Sequence, residues 1–338
     1  MRLREQLEQN EILNLSPNAA KSAESKGRVL PELPDEFRTC FQRDRDRIIH
    51  SKSLRRLMHK TQVFIAPEGD HFRTRLTHTL EVTQVARTIA RSLGLNEDLT
   101  EAIGMGHDLG HTPFGHMGEA VLNEIHPGGF KHNIQSLRVV DVIERDYKGK
   151  TLNLTAEVRD GIKNHSGEEI PFTMEGQIVR ISDRIAYINH DIDDAVRAGI
   201  ISVSDIPPEF LNYPGFKSGN RINYFVSDII RCSDGKDGIR QSSEAAEVMN
   251  GLRNWLFEKV YGNPSLRSKT EIDKVHNIVS SLYTYFLENP DMLDEDEKDL
   301  IPHDGLNEVV KDHIAGMTDR YAINLYQELF VPTGWSRL

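Results

Sequence analysis

Gly106-His-Asp-Leu-Gly-His-Thr-Pro-Phe-Gly-His-Met-Gly-Glu119 sets three histidines and two carboxylates on one helix end and the loop that follows it. Just upstream, Asn96 is a good N-cap, and Glu97 and Asp98 suit a first turn, where acidic side chains complement the helix dipole. The helix so opened runs through Leu99, Ile103 and Met105 and ends at His107-Asp108, with Gly110 suited to the C′ position. Thr112-Pro113-Phe114-Gly115 cannot continue it, because proline lacks the amide donor and its ring clashes with the preceding turn. A second helix is expected from near His116, which sets Glu119 one turn on, on the same face. Gly104 and Gly106 each cost a helix roughly 1 kcal/mol relative to alanine, so a neighbouring backbone or ligand is expected to come very close there. The His-Asp pair by itself decides nothing, since it recurs at His190-Asp191 and His303-Asp304.

Toward the N-terminus, Thr77 suits the cap of a helix carrying Leu80, Val85, Ile89 and Leu93, with His78 in its first turn after Arg73 and Arg75. Ile48, Ile49, Leu54 and Leu57 predict a helix over Phe41 to Met58. Val63-Phe64-Ile65 predicts a short extended piece before the Pro67-Glu68-Gly69-Asp70 turn. Residues 1 to about 35 are polar, hold three prolines and show little periodicity, which reads as an arm. Toward the C-terminus, helices are expected over 118–125, 134–143, 158–165 and 177–198. In the last, Ile178, Ile181, Ile185, Ile188 and Ile192 form an apolar stripe beside a polar one of Arg180, Asp183, Arg184, Tyr187 and Asp191. Pro207-Pro208 and Asn212-Tyr213-Pro214-Gly215 mark a subdomain boundary, followed by helices over 245–260, 275–287 and 321–329. Few segments alternate as strands do, so the chain is mainly α.

A chain of 338 residues can bury a full core. No apolar run approaches the roughly 20 residues that span a bilayer, and the first residues lack a signal-peptide pattern. Two cysteines make no disulfide framework. A cytoplasmic protein is expected. The net charge of −11 argues against a dedicated nucleic-acid binder. Arg43 to Arg75 nevertheless holds nine Lys/Arg against four Asp/Glu, a local excess better suited to a small polyanion than to a long duplex, or else a solvated helix face.

His78, His107, Asp108 and Asp183 come from three expected helices, which is how helical cores build ligand sites. Two imidazoles and two carboxylates suit a first-row divalent ion and leave positions open for water and substrate oxygen. His111, His116, Glu119 and His132 lie close by in sequence.

These residues, in this order and spacing, resemble the HD superfamily of metal-dependent phosphohydrolases, and within it the deoxynucleoside triphosphate triphosphohydrolases, the dGTPase-like family. The resemblance also rests on Leu54-Arg-Arg-Leu57, Lys60-Thr-Gln-Val63, Arg73-Thr-Arg-Leu-Thr-His-Thr-Leu-Glu-Val82 and Gly129-Phe-Lys-His-Asn133 with Gln135-Ser-Leu-Arg138. Asn153-Leu-Thr155, Gln177-Ile-Val-Arg-Ile-Ser-Asp-Arg-Ile-Ala-Tyr187 and Gly316-Met-Thr-Asp-Arg-Tyr-Ala322 complete it, from about residue 41 onward. The departures are Lys131, where an acidic residue is common, and Gly176, where alanine is common. The resemblance implies an all-α fold with an HD-domain helical core and an additional C-terminal helical subdomain. Its expected divisions are 1–49, an N-terminal arm and lead-in helix; 50–200, the HD core; and 201–338, the C-terminal subdomain packed on it.

The resemblance further implies hydrolysis of a dNTP to deoxynucleoside and inorganic triphosphate. It implies one divalent ion on His78, His107, Asp108 and Asp183, manganese first, with iron, cobalt, nickel, zinc and magnesium as alternatives. His116 is the expected proton carrier with Glu119 holding it, and His111 and His132 would face the α-phosphate. Arg75 and Arg184 match phosphate-contacting positions, Gln62 and Asp191 match positions that read the sugar 3′-hydroxyl, and Tyr187 shares the helix face of Asp183 and Asp191. Relatives are often homo-oligomers that respond to a second nucleotide. Two other readings stay open: a binuclear phosphodiesterase-like site using His132 and His165, and a catalytically silent HD scaffold that binds nucleotide or, weakly, single-stranded nucleic acid.

Overall fold

The structure, a computed structural model, describes residues 3–62, 73–146, 148–217, 220–261 and 269–332. Among them there is no strand, only three isolated β-bridges, and the fold is all-α as expected. The longer helices are α1 (Leu3–Asn14), α2 (Cys40–Ile49), α3 (Arg75–Ser92), α4 (Glu97–Gly106), α5 (Gly115–Ile125), α6 (His132–Arg138) and α7 (Ala156–Asn164). They continue as α8 (Met174–Arg197), α9 (Arg221–Ser233), α10 (Ser243–Leu256), α11 (Lys269–Glu288), α12 (Leu306–Gly316) and α13 (Asp319–Phe330). The Val63–Ile65 strand and the Pro67–Asp70 turn fall outside the described residues.

Side-chain caps set most of the helix starts that matter for the site. Asn96 accepts from the Leu99 amide at the start of α4, Thr173 from Gly176 at α8, and Thr318 from Tyr321 at α13. The cap of α3 is Thr74, not Thr77. The two form a reciprocal box, in which Thr77 stands at N3 and bonds back to the Thr74 amide. A threonine three residues on offers the same hydroxyl, and the pairing decides which one caps. The helix expected over Phe41–Met58 breaks at His50-Ser51, where Ser51 caps a fresh turn, Lys52–Arg56.

Two apolar clusters organise these helices. In the first, α3, α4 and α8 pack side by side through residues such as Val82, Ile89, Leu99, Ile103, Ile178, Ile185 and Ile192, with α2 and α7 laid across α4. Residues of α9 and α10, including Phe225, Ile229, Met249 and Leu252, join this same cluster. The second cluster is built by α11, α12 and α13 together with Met117, Val121 and Leu122 of α5.

Close helix packing explains the glycines of α4. A Cβ on Gly104 would sit 2.7 Å from Thr83 Oγ1 of α3, and one on Gly106 would sit 2.6 Å from Ile162 Cδ1 of α7. The close neighbours are therefore side chains, not a ligand. Gly110 is not the left-handed C′ residue expected of it. Its backbone lies against α6, where a Cβ would meet the Ser136 amide nitrogen at 2.1 Å.

The N-terminal arm begins with a helix, α1, that buries no residue, which is why apolar periodicity is missing there. The segment after it is strapped down by carboxylates. Glu11 accepts from the amide and hydroxyl of Ser22, Glu175 from the Ala20 amide, and Glu157 from Ser25 and Lys26.

Candidate active site

The C-terminal end of α4, the first turn of α3 and the middle of α8 bring His107, His78 and Asp183 together. His78 Nε2 lies 3.0 Å from Asp183 Oδ1. His107 Nε2 lies 3.6 Å from Asp108 Oδ2 and 3.9 Å from Asp183 Oδ1. The ring of His107 is fully buried, and its Nδ1, 2.7 Å from the Gly104 carbonyl, must be the protonated nitrogen. That leaves the Nε2 lone pair buried, without a hydrogen-bond partner among the described residues and facing two carboxylates. An orphaned imidazole nitrogen beside two carboxylates and a second imidazole is a donor set that fits a divalent cation. Burial works against the ionised Asp183, yet the His78 bond outweighs it and pulls its pKa down to about 2.

Next to this cluster stands a chain of four histidines and one carboxylate. Glu119 accepts from His116 Nδ1 at 3.0 Å, from His132 Nδ1 at 3.0 Å and from the His132 amide at 2.9 Å. His165 Nδ1 donates to the Ile162 carbonyl at 2.7 Å, so its Nε2 is an acceptor. His132 Nε2 lies 3.2 Å from that acceptor and 3.4 Å from the Ser166 hydroxyl. The Nδ1 bond to Glu119 favours the imidazolium form of His132. The electrostatics agree: burial opposes its charge, but the Glu119 carboxylate outweighs burial and raises its pKa. Burial and the charge of the neighbouring His132 push His165 down to about 3. Burial also opposes the Glu119 carboxylate, and the bonds from His116 and His132 hold it far below the usual range all the same. His111 stacks on His132 with ring centroids 4.7 Å apart, and burial next to Arg75 and His132 keeps it neutral. His116 is the accessible member, with 61% of its side chain exposed.

Both groups open into one cavity of about 470 Å³. Gln62, Arg184, Tyr187 and Asp191 also line it, so every residue singled out in the sequence except His107 and Glu119 reaches its wall, and those two stand directly behind it. Arg75 is more committed than expected: its Nη1 is 2.6 Å from Asp108 Oδ2 and its Nε donates to the Thr61 carbonyl. Burial raises the Asp191 carboxyl to about 7, even though the Tyr261 phenol donates to it.

Sequence reasoning missed Arg253, Phe257 and Tyr261, which close the cavity from the end of α10. Their i, i+4, i+8 spacing does put them on one helical face, but an exposed face shows the same pattern. The positive stretch from Arg43 to Arg75 is largely consumed within the molecule. Arg43 and Arg47 pair with Glu32, Arg45 with Asp98, Arg73 with Glu81 and Asp194, and Arg75 with Asp108. Lys60 is buried between the carbonyls of His111 and Ala315. No helix among the described residues is long and apolar enough to cross a membrane.

The HD domain family model matches residues 75–188, and the phosphohydrolase-associated domain model matches residues 239–328. A deoxyguanosinetriphosphate triphosphohydrolase-like protein of Caldanaerobacter subterraneus subsp. tengcongensis is 55% identical over 335 residues, 99% of this chain and 98% of that protein. The chain belongs to the deoxyguanosinetriphosphate triphosphohydrolase-like family. Proteins of the same description from Clostridium tetani and Desulfatibacillum aliphaticivorans are each 47% identical, covering 98% of this chain and 97% and 99% of theirs. In this triphosphohydrolase-like chain the HD match contains His78, His107, Asp108, His116, Glu119, His132 and Asp183, while the associated domain supplies Arg253 and Tyr261.

Proposed function

We propose that this cavity hydrolyses deoxynucleoside triphosphates, dGTP among them, to deoxynucleoside and inorganic triphosphate. The observation that carries the reading is a single cavity lined at once by the His78–Asp108–Asp183 group, by the cationic His132, by the guanidinium groups of Arg184 and Arg253, and by Gln62 and Asp191. Its volume of about 470 Å³ lies within the usual range for small-ligand sites. The names of the relatives and the HD match support the same class of chemistry.

His78, His107, Asp108 and Asp183 would hold one divalent ion, manganese first, whose chemistry is to polarise a phosphate oxygen and lower the pKa of water. The chain's own residues divide the remaining work. Arg184 and Arg253 hold the phosphate tail, as planar guanidinium groups do best. Gln62, whose buried Oε1 has no partner among the described residues, and Asp191 grip the sugar from the other end. His132, held as a cation by Glu119, faces the charge that develops on the α-phosphate. His116, exposed and bonded to the same carboxylate, carries the proton to or from the 5′-oxygen. His111, kept neutral, packs His132 in place.

A binuclear site has a specific observation in its favour, since one donor atom each from Asp108, His132 and His165 lie within 4.8 Å of one another. Two ions per chain by elemental analysis would favour it over the single-ion reading. Metal-stripped and metal-loaded protein incubated with each dNTP, with products separated by chromatography, tests the reading. Triphosphate and deoxynucleoside from the loaded protein alone are expected. A dNMP or dNDP as primary product, or equal activity without metal, would refute it.

A further inference from the structure

The stretch Gly316–Ala322 has no part in the cavity, yet it contains a buried carboxylate that reaches the cavity's back wall at two points. Asp319 opens α13 and is 3% exposed. Its Oδ1 accepts from the Phe114 amide at 2.9 Å, and its Oδ2 accepts from the Thr61 amide at 3.0 Å and from the Thr61 hydroxyl.

Each of these partners is poised against a functional side chain. Phe114 caps α5 with a left-handed backbone (φ 63°), a conformation that a side chain with a Cβ rarely adopts, and it makes no side-chain cap bond. The strain fixes the direction in which α5 leaves the loop. His116 and Glu119 lie in the first five residues of that helix. Thr61 accepts from Arg75 Nε at 3.2 Å through its own carbonyl, pairs with Thr74 in a β-bridge, and precedes Gln62. Lys60 ties the same junction to the rest of the loop, donating to the carbonyls of His111 and Ala315. One carboxylate thus bridges the helix carrying the histidine–glutamate pair and the segment carrying Gln62 and the Arg75 anchor. It belongs to the phosphohydrolase-associated region, outside the HD match.

We propose that Asp319 is a positioning residue for the reaction, holding Phe114 in its left-handed conformation so that His116 points into the cavity with Glu119 bonded behind it, and holding Thr61 so that Gln62 lines the same cavity. It touches neither substrate nor ion. The proposal rests on the hydrolytic reading only for its rate measurements, and the ring environment of His116 reports on it without any substrate.

The test uses the full-length, metal-loaded protein and the variants Asp319→Asn, Thr61→Val and Thr61→Ser. Asp319→Asn leaves one acceptor oxygen for the three donors that converge on the carboxylate and is expected to lower kcat for dGTP roughly 10²-fold, the scale of a misplaced reacting group. Metal content per chain should stay at the wild-type value. Thr61→Val, lacking the hydroxyl, should raise KM through Gln62 more than it lowers kcat, and Thr61→Ser should restore both. Histidine-labelled NMR spectra should show the His116 ring resonance displaced in Asp319→Asn, with or without nucleotide. An unmoved His116 resonance with wild-type kcat and KM would overturn the proposal. So would losses of activity, metal and melting temperature that run in proportion across all three variants, since that is a purely structural role. A wild-type protein that hydrolyses no dNTP, while His116 still shifts in Asp319→Asn, would sink the hydrolytic reading and leave the positioning intact.

Discussion

The Nδ1 of His107 lies 2.7 Å from the carbonyl oxygen of Gly104, one turn earlier in the same helix. A carbonyl can only accept, so the bond fixes the tautomer and turns the Nε2 lone pair toward Asp108 and Asp183. The ligand set is therefore oriented by helix geometry before any ion arrives. Asp183→Ala should lose both bound metal and turnover, and elemental analysis of the wild type should find one ion per chain. Two ions per wild-type chain would move the assignment to the binuclear reading.

Glu119 serves two histidines at once, which makes a prediction about coupling. His116→Ala should keep its ion and lose turnover by roughly 10²–10⁴, the usual range for a proton-transfer group. Glu119→Ala should be impaired at least as much, and the double variant should be far less than additive, because the residues act as a unit. Additive losses in steady-state kcat would show that the two work separately.

The sign of the His132 pKa follows from the same carboxylate. Glu119 is what raises it against burial. Glu119→Gln should therefore lower it, so that the variant loses the imidazolium at a lower pH than the wild type. NMR titration of histidine-labelled protein reads this directly, and an unchanged or higher value would contradict the assignment.

The bond that breaks is open to isotope labelling. With the reacting phosphorus beside the His-Asp cluster and the tail on Arg184 and Arg253, water should attack the α-phosphorus. Hydrolysis in ¹⁸O-labelled water should then place the label in the triphosphate and none in the deoxynucleoside. Mass spectrometry of both products that finds label in the nucleoside would exclude this route.

Glu175 links the arm to the core and predicts a pH-dependent stability. Burial raises its carboxyl from 4.5 to about 7, against the backbone bonds from Asn96 and Ala20. Between those values the folded chain holds a proton that the unfolded chain has released, so stability falls as pH rises and the loss is complete above pH 7. Glu175→Gln should remove that slope. Relative to the variant, the wild type should be less stable at pH 8 than at pH 5 by up to about 3 kcal/mol. Denaturant unfolding at the two pH values measures it, and parallel pH profiles for the two proteins would refute it.

What the sequence made legible was local. Asn96 as a cap, the helix restart beside His116, and Glu119 three residues on at bonding distance all follow from spacing along one or two turns. The approach of His78 to Asp183 across 105 positions was reached by grouping ligand-type side chains from separate helices and by the family pattern, not by spacing. Where no pattern spoke, long-range pairing stayed hidden: Asp319 meets Phe114 across 205 positions, and Lys60 meets Ala315 across 255. Nothing in the composition around Arg253 and Tyr261 separates a cavity wall from a solvated face. The helical state of α1 was equally silent, because a helix that buries nothing leaves no periodic trace.

Helix α5 turns His116 and Glu119 toward one half of the molecule and Met117, Val121 and Leu122 toward the other. The matched HD segment, cut out at its own ends, would strip those three apolar side chains of their cover and leave the proton-carrying pair on an unsupported helix. The C-terminal bundle is consequently no detachable cassette. Heat or protease that loosens the bundle should silence the chain's activity well before the helices of the His-Asp cluster let go.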